Sequence, residues 1–150
     1  MTVKESIRIA SGQGFWGDLP KAPIDQVRNG PIDYLVMDYL AEVTMSIMQK
    51  QKLRNPDYGY ARDFVGVVRE ILPDIAERGI KVISNAGGVN PEACKEKILE
   101  AINDEGYGDI NVAVVDGDDI LNNIDELVAD GHDLKNMESG EPVSAVRDKL

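Results

Sequence analysis

What this sequence has little of sets its first limits. It holds one cysteine, Cys94, so an internal disulfide framework is excluded and a reducing compartment, the cytoplasm, is the expected setting. It holds one histidine, His132, and no Cys/His spacing of a zinc site. Basic residues are scarce: 16 lysines and arginines stand against 27 acids, a net charge of −11. A phosphate backbone would repel this chain, and no Lys/Arg stripe offsets the repulsion, which excludes nucleic-acid binding. Long apolar runs are missing as well. Stretches such as Tyr34 to Met37 and Val112 to Val115 fall far short of the roughly 20 residues that cross a bilayer. The polar opening, Met1-Thr2-Val3-Lys4-Glu5-Ser6, has no apolar core of a secretory signal. No Walker loop and no nucleophile elbow occurs.

What is present reads as one α/β domain. The chain has 150 residues, 43% hydrophobic and 29% charged, enough for a single real core. Ile7 to Ala10, Tyr34 to Met37, Ile80 to Ser84 and Asn111 to Val115 form nearly continuous apolar runs, the pattern of strands buried on both faces of a parallel sheet. Helical stripes lie between and after them: Leu40, Val43 and Ile47; Phe64, Val67, Val68, Ile71, Leu72 and Ile75; Cys94, Ile98, Ala101 and Ile102; Ile120, Leu121, Ile124, Leu127 and Val128. Asn90-Pro91-Glu92 has the order of a helix start, and Gly79 and Gly131 sit at helix ends. Pro73 predicts a kink or split in the long helix, and Pro20 and Pro23 predict that the first helix begins near Pro23. The expectation is an open, mostly parallel sheet of at least four strands, doubly wound and Rossmann-like, with helices on both faces. It spans residues 1–132, followed by a polar tail or the start of a further element at 133–150. Two strand orders, 2-1-3-4 and 3-2-1-4, fit this pattern. Four strands are few for such a sheet, so a second copy, a companion subunit or further sequence is expected to complete it, or the last strand is left exposed.

In a parallel sheet the loops after the strands share one rim, where open α/β proteins bind ligands. Four loops fall there, rich in acids, amides and glycines. The first carries Gly12, Gly14, Gly17 and Asp18, formally a Gly-x-Gly-x-x-Gly run, with Asp38 where a ribose-binding acid would stand. A dinucleotide site needs a helix starting inside the glycines; the prolines after Gly17 and the bulky Phe15-Trp16 pair speak against NAD(P). The alternatives are a glycine turn plugged by two core aromatics and a loop closing on another small molecule. The third loop carries Asn85, Gly87, Gly88 and Asn90 before a helix, where main-chain amides could hold a carboxylate or phosphate oxygen. Asp38, Glu42 and Asp116 are the candidate acid/base groups, and with Asp118 and Asp119 the candidate oxygen ligands of a divalent metal. Structural roles compete with each of these. His132 suits a helix end and Cys94 a helix stripe facing the core.

At these loops the sequence resembles the acyclic terpene utilisation (AtuA) family. The segments that carry the resemblance are Ile9-Ala10-Ser11-Gly12-Gln13-Gly14-Phe15-Trp16-Gly17-Asp18, Asp33-Tyr34-Leu35-Val36-Met37-Asp38-Tyr39-Leu40-Ala41-Glu42-Val43-Thr44-Met45 and Ser84-Asn85-Ala86-Gly87-Gly88-Val89-Asn90-Pro91. The resemblance implies a cytoplasmic protein of the breakdown of branched or terpenoid carboxylic acids as CoA thioesters, with no assigned reaction. It implies that Gly12, Gly14, Gly17 and Asp18, then Asp38 and Glu42, then Asn85, Gly87, Gly88 and Asn90 occupy the family's motif positions, with no catalytic role attached. Members are much longer than this chain, which stops after a fourth β-α unit, so independent activity is not expected from it.

The residues and the resemblance together predict part of an enzyme acting on a small carboxylic acid or its acyl-CoA, by hydration or lyase chemistry near a carbonyl. A nucleotide-binding domain and a non-catalytic subunit docking a companion are the alternatives. A CoA thioester or a divalent metal would be the matching ligand or cofactor, and no membrane association is expected.

Overall fold

The computed structural model describes residues 6–147, which fall into two compact units, one reaching Val114 and one starting at Val115. The first unit runs β1 (Ile9–Gln13), α1 (Lys21–Asn29), β2 (Tyr34–Met37), α2 (Glu42–Arg54), α3 (Arg62–Arg78), β3 (Lys81–Ser84) and α4 (Pro91–Asp104). The three strands form a parallel sheet in the order β1-β2-β3. All three C-terminal ends therefore point to one rim.

The alternation of exposure along the strands shows where the core sits. Leu35 and Met37 of β2 are buried, whereas their neighbours Tyr34 and Val36 are half-buried. The buried face packs on α1 and on the apolar stripe of α3, where Phe64, Val67, Val68, Ile71, Leu72 and Ile75 all turn inward. Helix α3 lies between α1 and α4, touching both. Gly12 makes this close packing feasible. A Cβ there would stand 2.9 Å from Pro23 Cβ and 3.0 Å from Leu35 Cδ1, inside contact distance, so a larger residue would push α1 off the sheet.

The other sheet face is open. The ladder aligns Ile9, Tyr34 and Lys81 in one row and Ser11, Val36 and Ile83 in the next. Ile9 is 61% exposed and Ile83 54%. The doubly wound expectation is thus corrected among the described residues to three parallel strands with one face uncovered. Asn111 to Val115, expected as a fourth strand, pairs with no neighbour. Val112 packs against the core while Val115 is 96% exposed. Along it exposed and half-buried residues alternate and none is buried, so little apolar surface is left to hold a ladder.

Other local expectations shift in instructive ways. Strand β1 starts at Ile9 and runs through Gly12 to Gln13, with an irregularity between Ser11 and Gln13. Helix α1 begins at Lys21, two residues before Pro23, which lies in its first turn where a missing N–H costs nothing. Pro73 does not split α3, which runs unbroken over 17 residues. The proline sits on the exposed side, where water reaches the freed carbonyl, and the buried stripe continues past it on both sides. Gly79 ends that helix in the left-handed region, at φ 65°, as its position predicts. In α2 the expected stripe is not the buried one. Val43 is 70% exposed and Met48 is fully buried instead.

In the second unit a 3-10 turn, Leu121–Asn123, opens on the Asp119 carboxylate, which accepts from the Leu121 amide at 3.0 Å. It leads into α5 (Ile124–Ala129), after which Gly131 takes φ 88° and the His132 amide donates to the Leu127 carbonyl. This closing pattern satisfies the last carbonyls of a helix. Arg147 pairs with Asp125 at 3.1 Å within the same unit.

Candidate functional site

At the rim, the ends of β2 and β3 are stitched together by side chains. The Ser84 hydroxyl donates to the Met37 carbonyl at 2.8 Å and accepts from the Ala86 amide at 3.1 Å. Asn85 uses both ends of its carboxamide on the facing loop. Its Nδ2 donates to Asp38 Oδ1 at 2.7 Å, and its Oδ1 accepts from the Tyr39 main-chain amide at 2.7 Å. Asp38 Oδ1 also accepts from the Leu40 amide at 3.2 Å. The second and third loops therefore meet through an amide clip. Val36, Met37, Asp38, Ile83, Ser84 and Asn85 line a shallow hollow of about 400 Å³ beside it, with Val36 and Ile83 on the open sheet face.

The clip sets the electrostatics. The Asn85 amide, followed by the Leu40 N–H, holds the Asp38 carboxyl below the usual carboxylate range. Asp38 is therefore an anion at neutral pH, with Oδ2 hydrogen-bonded to none of the described residues. Such a group can accept from a ligand hydroxyl or amine, or face a cation. It is not a proton donor at that pH. Glu42, four residues on, is the first residue of α2 and is exposed. The helix enters through Ala41, whose amide donates to the Thr44 hydroxyl at 2.7 Å.

The first loop closes on itself. The Asp18 carboxylate accepts from the Gly14 amide at 3.1 Å and the Leu19 amide at 2.7 Å, and these bonds, Gly14 first, hold its carboxyl low. Gly17 takes φ 96°, a conformation that favours glycine. Of the two aromatics, Trp16 is half-buried and its indole N–H donates to Asp63 Oδ1 at 2.8 Å, whereas Phe15 is 60% exposed. Of the alternative in which two core aromatics plug the turn, only Trp16 packs against the core. A helix N-terminus inside the glycines, the geometry of a pyrophosphate site, is not formed: α1 starts at Lys21.

The third loop has spent most of its amides. Those of Gly88, Val89 and Asn90 donate to the carbonyls of Asn85, Gly59 and Gly87. Asn90 stands before Pro91 at the helix start as predicted, but its side chain makes no cap. Its Nδ2 donates to the Pro56 and Tyr58 carbonyls instead, both at 2.7 Å, and so bolts the connector between α2 and α3 to this loop. Lys52 adds a bond to the Val89 carbonyl at 2.7 Å. Gly88 is clamped in the left-handed region at φ 55°.

Of the sequence-predicted residues, the rim joins Asp38 and Asn85 directly and places Glu42 on the same loop's helix. Gly12, Gly14, Gly17 and Asp18 shape the first loop; Gly87, Gly88 and Asn90 shape the third. Asp116 lies in the second unit. Among the described residues, no three Asp, Glu, His or Cys side chains gather in a way that could hold a metal ion. Sequence reasoning missed Trp16–Asp63, 47 positions apart, because such a pairing leaves no local signal. It also passed over Gln13 and Tyr39, polar residues flanking Asp38, although a glutamine ending an apolar strand is a readable anomaly. Cys94 is buried, and burial pushes its thiol up to about 12.

No helix is long and apolar enough to cross a membrane among the described residues. No curated protein and no solved structure matches the chain. One family model does, that of the acyclic terpene utilisation family protein AtuA, over residues 7–150. Its span takes in the first loop, the Asp38–Asn85 clip and the third loop, and on that coverage the chain belongs to the AtuA family, named for acyclic terpene utilisation.

Proposed function

We propose that this chain carries the ligand-binding rim of a cytoplasmic catabolic enzyme acting on a branched or terpenoid carboxylic acid or its CoA thioester. The observation that supports this most is the Asp38–Asn85 clip beside an apolar hollow. An ionised carboxylate with one engaged oxygen presents the other as a fixed acceptor, and Val36 and Ile83 offer an aliphatic floor beside it. In this reading Asp38 orients a ligand hydroxyl or a cation, Glu42 transfers the proton, and Asn85 keeps Asp38 aimed. Of the loops, the third borders the site through Asn85, whereas Gly12 packs against Pro23 of α1 and the first loop lies on the helix side of the sheet. The proposed reaction is addition or elimination of water, or a related lyase step, next to a carbonyl.

A thermal-shift titration tests the ligand class. A branched acyl-CoA is expected to stabilise the chain, with Asp38→Ala reducing the response, whereas NAD(H), NADP(H) and ATP are expected to leave it unchanged. Stabilisation by the nucleotides alone would favour the nucleotide-binding alternative and overturn this reading. Turnover by the assembled enzyme should fall at least tenfold in a double Asp38→Ala, Glu42→Ala variant; undiminished turnover would remove both residues from the chemistry.

The open sheet face supports a second reading in which a further copy or a companion chain covers Ile9, Val36 and Ile83. Sedimentation velocity on the wild type and on an Ile9→Asp, Ile83→Asp variant separates the outcomes. A self-associated wild type with a monomeric variant supports a second copy. A monomeric wild type rules that copy out.

A further inference from the structure

The rim holds two buried polar atoms that meet no partner among the described residues: Oε1 of Gln13 and the hydroxyl of Tyr39. Gln13 is 3% exposed and Tyr39 is fully buried. Buried polar groups are nearly always paired, with protein or with ordered water, so each orphan calls for an occupant. They flank the same joint. The Gln13 carbonyl accepts from the Asp38 amide at 3.1 Å, and Tyr39 is the next residue. Both turn to the helix side of the sheet. Gln13 pairs across the ladder with buried Met37, and the Tyr39 ring meets Phe64 of α3 edge-on at 5.7 Å between centroids.

The first loop roofs this place and rests on few ties. Gln13 Nε2 reaches the Asp18 carbonyl at 3.5 Å, and the Trp16 indole clasps Asp63 at the start of α3. Gly17 has nothing within 4 Å of a would-be Cβ, and Gly14 meets only the Asp18 carboxylate, at 3.9 Å. The loop is thus tied to the rest of the unit by the Gln13 amide and the Trp16 indole.

The geometry points to a polar subsite beneath the first loop, where Gln13 Oε1 and the Tyr39 hydroxyl receive a neutral hydroxyl or amide of a ligand once the Trp16–Asp63 clasp opens. The class follows from the atoms. Gln13 Oε1 only accepts, because its amide nitrogen faces Asp18, and the Tyr39 hydroxyl is free to donate. A group with both a donor and an acceptor matches the pair. A carboxylate would set its lone pairs against Oε1. The subsite lies on the opposite side of the sheet from the Asp38 hollow and stands whether or not the reaction proposed above is right.

The chain has a single tryptophan, so its indole gives one unambiguous NMR signal. Isobutyramide and isobutyrate, close to isosteric, serve as probes at equal ionic strength. Isobutyramide is expected to shift the Trp16 indole and Gln13 side-chain amide signals saturably, and isobutyrate is expected to leave them in place. Tyr39→Phe, which removes a hydroxyl without a bond, should fold normally and bind isobutyramide at least threefold more weakly. Asp63→Ala should bind it several-fold more tightly, since the open form becomes more populated, while Asp63→Asn retains the acceptor and should match the wild type. Absence of a saturable amide response, an equal response to isobutyrate, or undiminished binding in Tyr39→Phe overturns the subsite. Unchanged binding in Asp63→Ala overturns the clasp.

Discussion

Replacing Gly88 by alanine tests how tightly the third loop is bound into the fold. Its φ of 55° lies where a Cβ crowds the backbone, a cost of about 1–2 kcal/mol. The new methyl would also stand 2.3 Å from Met48 Sδ and 2.7 Å from the Gly59 carbonyl oxygen. Met48 is fully buried, and Gly59 O accepts from the Val89 amide at 3.0 Å, so neither neighbour gives way without disturbing a packed element. Overpacking of this kind adds about 1–3 kcal/mol. The sum, about 2–5 kcal/mol, corresponds to a fall in Tm on the order of 10 °C for a domain of this size. Gly79→Ala is the matched control. Its φ of 65° lies in the same left-handed region, yet nothing lies within 4 Å, so it should cost only the backbone part. Urea denaturation of the two variants beside the wild type measures the difference. If Gly88→Ala is no more damaging than Gly79→Ala, the packing of α2 and the connector against this loop is not as described.

Three further outcomes follow from the same geometry. Asn85→Ala removes two bonds of 2.7 Å, so the Asp38 carboxyl should titrate closer to its ordinary value, as carboxyl-detected NMR will show; an unmoved titration would deny the clip. Asp18→Asn should destabilise the chain at pH 7 and progressively less as pH drops. The folded pKa of Asp18 is depressed, so its contribution is present above the unfolded value near 3.8 and is lost as pH falls through the folded one. A Tm gap that stayed constant from pH 7 to pH 2 would contradict this. Cys94 should resist thiol-specific labelling at pH 8 until denaturant is added, because burial holds it protonated; rapid labelling of the native chain would place it outside the core.

Much of the fold is written locally. Tyr34 to Met37 announces β2 at both ends, the stripe of Phe64 through Ile75 announces the buried face of α3, and Gly79 marks where that helix stops. These signals are short-range, and burial reinforces each one. The departures come where distant contacts decide. Asn111 to Val115 has a strand's composition but finds no ladder. Pro73 stays inside a helix because the apolar stripe around it outweighs one lost bond. Asn90 turns from the helix it precedes to hold Pro56 and Tyr58. The site shows the same division. Asp38 and Asn85 were legible as rim residues from their places after strands. That they clasp each other, and that Gln13 Oε1 and the Tyr39 hydroxyl meet no partner among the described residues, depends on how β1, β2 and β3 align.

Mapping a ligand onto the rim by amide chemical shifts tests the central claim most directly. With a branched acyl-CoA titrated into the isotopically labelled chain, the account predicts saturable changes at Asp38, Tyr39, Ser84 and Asn85, all lost in Asp38→Ala. Changes confined to residues 124–147, or a full response surviving in Asp38→Ala, would contradict it.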